Sequence, residues 1–89
     1  MEIFYWQDYK KREVDFVIKQ GKNINMLIQA CTDIDDFKTK EREVTSLVKA
    51  AQELDCENLV VLTLDYDGEE KSKGKKIVYK SLWKWLIGA

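Results

Sequence analysis

The chain has 89 residues, which is one domain spanning 1–89 and no more, and a chain of this size buries only about 60% of the surface its unfolded form exposes. With 45% hydrophobic residues, no proline and four glycines, it is neither a disordered tail, a Pro-rich linker nor a collagen-like repeat. Fifteen Lys and Arg against sixteen Asp and Glu leave a formal charge of -1, so any attraction to nucleic acid or to an anionic membrane must be local.

Histidine is absent, which removes Cys/His zinc sites and every histidine-based nucleophile or general base. Chemistry would have to come from carboxylates, lysines, tyrosines or the two cysteines. Cys31 and Cys56 are far apart and form no C-x-x-C pair, a usage that fits a reducing compartment. The first residues, Met1 to Trp6, lack the basic region and apolar run of a signal peptide. The longest apolar runs are about four residues, far below the roughly 20 of a membrane span. The expectation is a soluble cytoplasmic protein with no membrane partner.

In chain order, Ile3-Phe4-Tyr5-Trp6 is aromatic-rich and reads as a strand. After a polar stretch, Glu13 to Lys19 alternates, with Val14, Phe16 and Ile18 on one face and Glu13, Asp15, Val17 and Lys19 on the other. Gln20-Gly21-Lys22-Asn23 is a tight turn, and Ile24 to Cys31 is a third strand, with Ile24, Met26, Ile28 and Ala30 sharing a face. These residues predict an antiparallel meander. From about Thr39 to Leu54 the period changes: Val44, Leu47, Val48, Ala51 and Leu54 form a helical stripe. Thr39 or Asp36 is its cap, Glu41 and Glu43 fall in the first turn, and Asn58 is the expected left-handed residue beyond its end. Leu59 to Leu64 is a nearly continuous apolar run, as in a strand covered on both faces with a parallel neighbour. Asp65 to Lys76 is a charged connection, Ile77-Val78-Tyr79 a short strand, and Ser81 caps a closing helical turn through Ile87. The order β-β-β-α-β-β-α predicts a mixed sheet in the α/β class.

Several of these segments together carry a resemblance. Glu13-Val14-Asp15-Phe16-Val17 follows an aromatic strand, and Leu27-Ile28-Gln29-Ala30-Cys31 ends the next one. A helix with Thr39-Lys40-Glu41-Arg42-Glu43 and a terminal Leu82-Trp83-Lys84-Trp85-Leu86 complete the pattern. This resembles, from Glu2 to Ile87, the C-terminal domain of uncharacterised archaeal AAA-type ATPases. That domain is similar to the PD-(D/E)XK nuclease-like superfamily of Holliday-junction resolvases and restriction endonucleases. The resemblance implies a restriction-endonuclease-like core lacking its first helix. In that superfamily two strand acids hold Mg²⁺ beside the scissile phosphate, and a lysine two positions after the second acid reaches the same face.

Carried onto this chain, the first acid matches Asp15, with Glu13 on the same strand face as a second residual acid and metal ligand. The second acid matches Gln29 and the lysine matches Cys31. A neutral amide is a poor Mg²⁺ ligand, and a thiol is soft and lacks lysine's fixed charge. No G-x-x-x-x-G-K-[ST] phosphate loop occurs, so the ATPase would be a neighbouring domain or a partner protein.

Two basic clusters are candidate contacts for DNA backbones: Lys10, Lys11 and Arg12, and Lys71, Lys73, Lys75 and Lys76. Asp65, Asp67, Glu69 and Glu70 precede the second and would neutralise it in a hairpin. Trp83 and Trp85 are two apart, so one is expected buried and the other partly exposed. Loss of the first helix would leave apolar surface uncovered, which predicts a homo-oligomer. The resulting expectation is a degenerate, non-catalytic nuclease-fold module with no cofactor, acting in binding or regulation beside an ATPase and DNA. The alternatives are a Mg- or Mn-dependent DNA endonuclease that adds Asp33 or Glu43 as a third acid, and an oligomerisation domain.

Overall fold

A meander, a crossover helix and a carboxy-terminal hairpin build one mixed sheet in a computed structural model, which describes residues 1–88. The described residues form an α/β fold with six strands and two helices: β1 (Glu2–Gln7), β2 (Glu13–Gln20), β3 (Asn23–Ala30), α1 (Phe37–Leu54), β4 (Leu59–Thr63), β5 (Gly68–Ser72), β6 (Lys75–Ser81) and α2 (Leu82–Ile87). The sheet order is β1-β2-β3-β4-β6-β5. The three amino-terminal strands pair antiparallel, β4 lies parallel between β3 and β6, and β5 returns antiparallel along β6.

Helix α1 forms because its apolar residues recur every three to four positions, and it buries Val44, Leu47, Val48 and Ala51 against β2, β3 and β4. Val14, Val17, Leu27, Leu59, Val61, Ile77 and Tyr79 complete this core from the sheet side. The helix starts earlier than its periodicity suggests. Asp36 is the cap, its Oδ1 accepting from the backbone N–H groups of Lys38 (3.0 Å) and Thr39 (3.4 Å). Glu41 and Glu43 therefore lie beyond the first turn. At the other end the left-handed residue is Asp55 (φ 55°), not Asn58, and its N–H returns to the Ala51 carbonyl.

The strict alternation expected of β2 and β3 is broken twice. Phe4 pairs with Val17 but Trp6 pairs with Val14, so Tyr5 faces two β2 residues, Asp15 and Phe16. This bulge turns both Val14 and Val17 into the helix-side core and leaves Phe16 45% exposed on the far face, where alternation alone puts Val14 with Phe16. A second extra residue, Asn25, lies where the β2–β3 pairing steps from Met26 to Ile24, and Ile24 packs on the helix side instead of sharing a face with Met26 and Ile28.

The charged connection also holds a strand. Gly68-Glu69-Glu70-Lys71-Ser72 is β5, polar because it is a rim strand whose Glu70 pairs with Lys40 of α1 (3.4 Å) and accepts from the Tyr79 hydroxyl. Lys73 and Gly74, at φ 51° and 82°, make the tight turn into β6. The short helix α2 packs on β6 and β4, with Lys80 over the Trp85 ring. Neither Trp83, 54% exposed, nor the half-buried Trp85 is buried. Ser81 caps α2 by position only; its N–H donates to Asp67 Oδ1 (2.9 Å). No helix among the described residues is long and apolar enough to cross a membrane.

Candidate functional site

The backbone register between β2 and β3 runs to the pair Phe16–Ile28 and stops. Beyond it, side chains take over the pairing. Gln29 Oε1 accepts from the Asp15 N–H (2.9 Å), and Gln29 Nε2 donates to the Glu13 carbonyl (2.7 Å). An amide has the donor–acceptor pattern of a peptide group, so Gln29 acts as one extra rung in the ladder. The same Nε2 approaches the Glu43 carbonyl of α1 at 3.4 Å. The residue is 1% exposed. Asp15 returns the link, its Oδ2 accepting from the Ala30 N–H (2.9 Å).

A cavity of about 300 Å³ opens at this place. Glu13, Asp15, Gln29 and Glu43 lie in it, and Lys10, Lys11, Arg12 and Arg42 line it with them. The structure thus brings together Glu13, Asp15, Gln29 and the first basic cluster, four of the features the sequence singled out. Of the two suggested third acids, Glu43 lines the cavity and Asp33 does not. Sequence reasoning missed Arg42, which lies beside Glu43, with Nε 3.5 Å from Glu43 Oε1. Burial pushes the Glu43 carboxyl up, the Asp15 carboxylate acts in the same direction, and Arg42 opposes both.

Cys31 lies elsewhere. It is 3% exposed, in the core beneath α1, and does not line the cavity. Burial pushes its thiol up, and the charges of Glu43 and Asp33 act the same way against a hydrogen bond from the Asp33 backbone. It is a neutral packing group. Both cysteines are free and buried. Among the described residues no three His, Cys, Asp or Glu side chains are grouped so as to hold a metal ion.

The basic turn before β2 is held by one carboxylate. Asp8 Oδ1 accepts from the N–H groups of Lys10 and Arg12, each at 2.9 Å, and Oδ2 accepts from Arg12 Nε at 2.7 Å. Those bonds hold the Asp8 carboxyl below its usual range despite partial desolvation.

The chain is 36% identical over 92 residues to an uncharacterised protein of Methanocaldococcus jannaschii. The match takes in 97% of this chain and 20% of that relative, so the chain spans about a fifth of the relative's length. No protein-family model and no solved structure matches the chain.

The second basic cluster is divided. Lys75 pairs with Glu57 (2.7 Å) and Lys76 with Glu69 (3.1 Å), which is the neutralised hairpin expected from the acids before it. Lys71 and Lys73 are exposed and have no ion-pair partner among the described residues. The two basic turns meet across α1, where Arg12 and Lys73 line one smaller cavity with Lys49. Arg42 and Lys49 are seven residues apart, two helical turns, so a search for cations on the outer stripe of α1 would have found both.

Proposed function

We propose that this chain is a non-catalytic module of the PD-(D/E)XK nuclease-like kind, a restriction-endonuclease-like core without its first helix, acting in binding or regulation beside an ATPase. The observation that carries this reading is Gln29. At the position of the superfamily's second acid stands an amide whose oxygen and nitrogen are both tied to the β2 backbone, 1% exposed. A group so engaged is neutral and has only the second lone pair of its oxygen left for a cation, a poor replacement for a carboxylate. The neutral thiol of Cys31, buried under α1, replaces the catalytic lysine. What the site retains is its cationic rim of Lys10, Lys11, Arg12 and Arg42, whose chemistry suits a phosphate backbone. The ATPase would occupy another part of a longer protein or a separate chain, in keeping with a relative about five times as long.

The test is a DNA mobility shift at low and high salt, beside a cleavage assay with Mg²⁺ or Mn²⁺ on supercoiled and branched DNA. The expected result is binding that is released as salt rises, loss of binding in Lys11→Gln/Arg42→Gln, and no cleavage. Cleavage that disappears in Asp15→Ala refutes the reading and favours the metal-dependent endonuclease built on Glu13, Asp15 and Glu43.

A second reading, self-association, is favoured by the sheet face opposite α1. Ile3 (57% exposed), Phe16 (45%), Ile18 and Met26 share that face with Ile28 beyond the strands that α2 packs on. A homo-oligomer formed through it would run larger than one chain on sizing, and Phe16→Glu would return it to monomer.

A further inference from the structure

We infer that the cavity between the two basic turns and α1 is a second site, which takes the phosphoryl group of a small phosphorylated molecule. The cavity holds about 170 Å³. Its wall combines Arg12 from the β1–β2 turn, Lys49 from α1 and Lys73 from the β5–β6 turn, three cations from three separate elements. Thr45, Gln52 and Ser72 add two hydroxyls and an amide, and among the described residues no Asp or Glu lines it.

Charge and geometry point to the same ligand. Lys49 and Lys73 have no ion-pair partner among the described residues. Those two lysines line one cavity beside an Arg12 that only Asp8 balances, so a net positive charge is left there, which a doubly charged oxyanion relieves. Arg12 is already oriented, because Asp8 engages its Nε and leaves the terminal nitrogens of the guanidinium to donate. The Lys73 backbone is set by the tight Lys73-Gly74 turn. The volume corresponds to roughly six waters at about 30 Å³ each, enough for a phosphoryl or diphosphoryl group and too little to admit a duplex. This cavity is independent of the nuclease-like reading: the two sites share only Arg12, and no residual acid takes part.

The experiment is an amide-shift NMR titration of the full chain with inorganic phosphate and with pyrophosphate at low salt, repeated with a short DNA duplex. Saturable shifts at Lys49, Ser72, Lys73 and Gly74 are expected with pyrophosphate. Lys49→Gln and Lys73→Asn should each weaken it about fivefold, since each removes one charge-assisted contact. Both side chains are exposed and Asn tolerates the positive φ of position 73, so the variants keep the fold. Lys10→Gln/Arg42→Gln should leave pyrophosphate binding unchanged while weakening DNA. The inference is overturned if pyrophosphate at about 10 mM gives no saturable shift at these amides, an affinity too weak for a built site. It is equally overturned if Lys49→Gln and Lys73→Asn leave pyrophosphate binding intact, or if they weaken the duplex and not pyrophosphate, which would assign the cavity to a polymer backbone.

Discussion

Replacing Gln29 with glutamate tests how the site is built, because it changes one atom's hydrogen-bonding character and almost nothing in size. In the native chain Nε2 donates to the Glu13 carbonyl at 2.7 Å and Oε1 accepts from the Asp15 N–H at 2.9 Å. An ionised carboxylate keeps the second bond but turns an acceptor toward the Glu13 carbonyl. That leaves a buried acceptor unpaired, a cost of about 1–3 kcal/mol. It also places a charge at a position 1% exposed, in a cavity already lined by Glu13, Asp15 and Glu43. Both effects push the introduced carboxyl above its unfolded value of about 4.3, and every tenfold weakening of the acid on folding costs a further ~1.4 kcal/mol at high pH. Once protonated, however, the acid has one O–H donor and one acceptor, the same pattern as the amide.

For a carboxyl raised on folding, the penalty is absent below the unfolded pKa, grows as pH rises through the folded one, and is complete above it. Gln29→Glu should therefore be close to wild type near pH 4 and at least about 2 kcal/mol less stable at pH 8, a Tm fall of roughly 8 °C or more for a chain of this length. Gln29→Leu should lose a similar amount at both pH values. Urea denaturation of the three proteins across that range is the assay. If Gln29→Glu matches wild type at pH 8, the amide does not pair with the β2 backbone and Gln29 is not the rung that closes the site.

Three further outcomes follow from the same geometry. Asp15→Ala should destabilise by about 1 kcal/mol because the Ala30 N–H loses its carboxylate partner, while Asp15→Asn, which retains an acceptor, should cost less than half of that by chemical denaturation. Glu43→Gln should raise stability at pH 7, because a carboxyl held above its normal pKa by burial and by Asp15 destabilises the fold when ionised. The gain should fade as pH drops through the ordinary carboxylate range, and a Tm difference that does not change between about pH 3.5 and 7 would contradict it. Asp36→Ala removes the α1 cap and should cost about 1 kcal/mol; Asp36→Ser, which can still accept from Thr39, should recover most of it in thermal melts.

Much of the architecture could be read in the chain because its periods are clear. Gly21 and the flanking apolar runs mark the meander, the Val44–Leu54 stripe marks α1, and the unbroken apolar Leu59–Leu62 marks the strand at the centre of the parallel part. What escaped was set by tertiary partners. Strand β5 is polar on both faces because Lys40 and Tyr79 satisfy Glu70, so no period announced it. The bulge at Asp15 and Phe16 shifts the phase of β2 by one residue, which no two-residue period can encode. Asp55 took the left-handed position because it comes directly after the last helical turn, where the sequence offered no glycine. The acids of the candidate site and its basic turn were legible by type and position. The role of Gln29 was not, since an amide inside a strand reads the same whether it meets water or spans a gap between strands.

That gap has a consequence for how the chain can drift. Asp15 and Phe16 form the bulge opposite β1, and Gln29 bonds the same stretch of β2 from the other side. Deleting the extra residue leaves the amide without a mate, and shortening the amide leaves the bulged segment unheld. Each change by itself costs the stability of that rung, so positions on two different strands are energetically coupled.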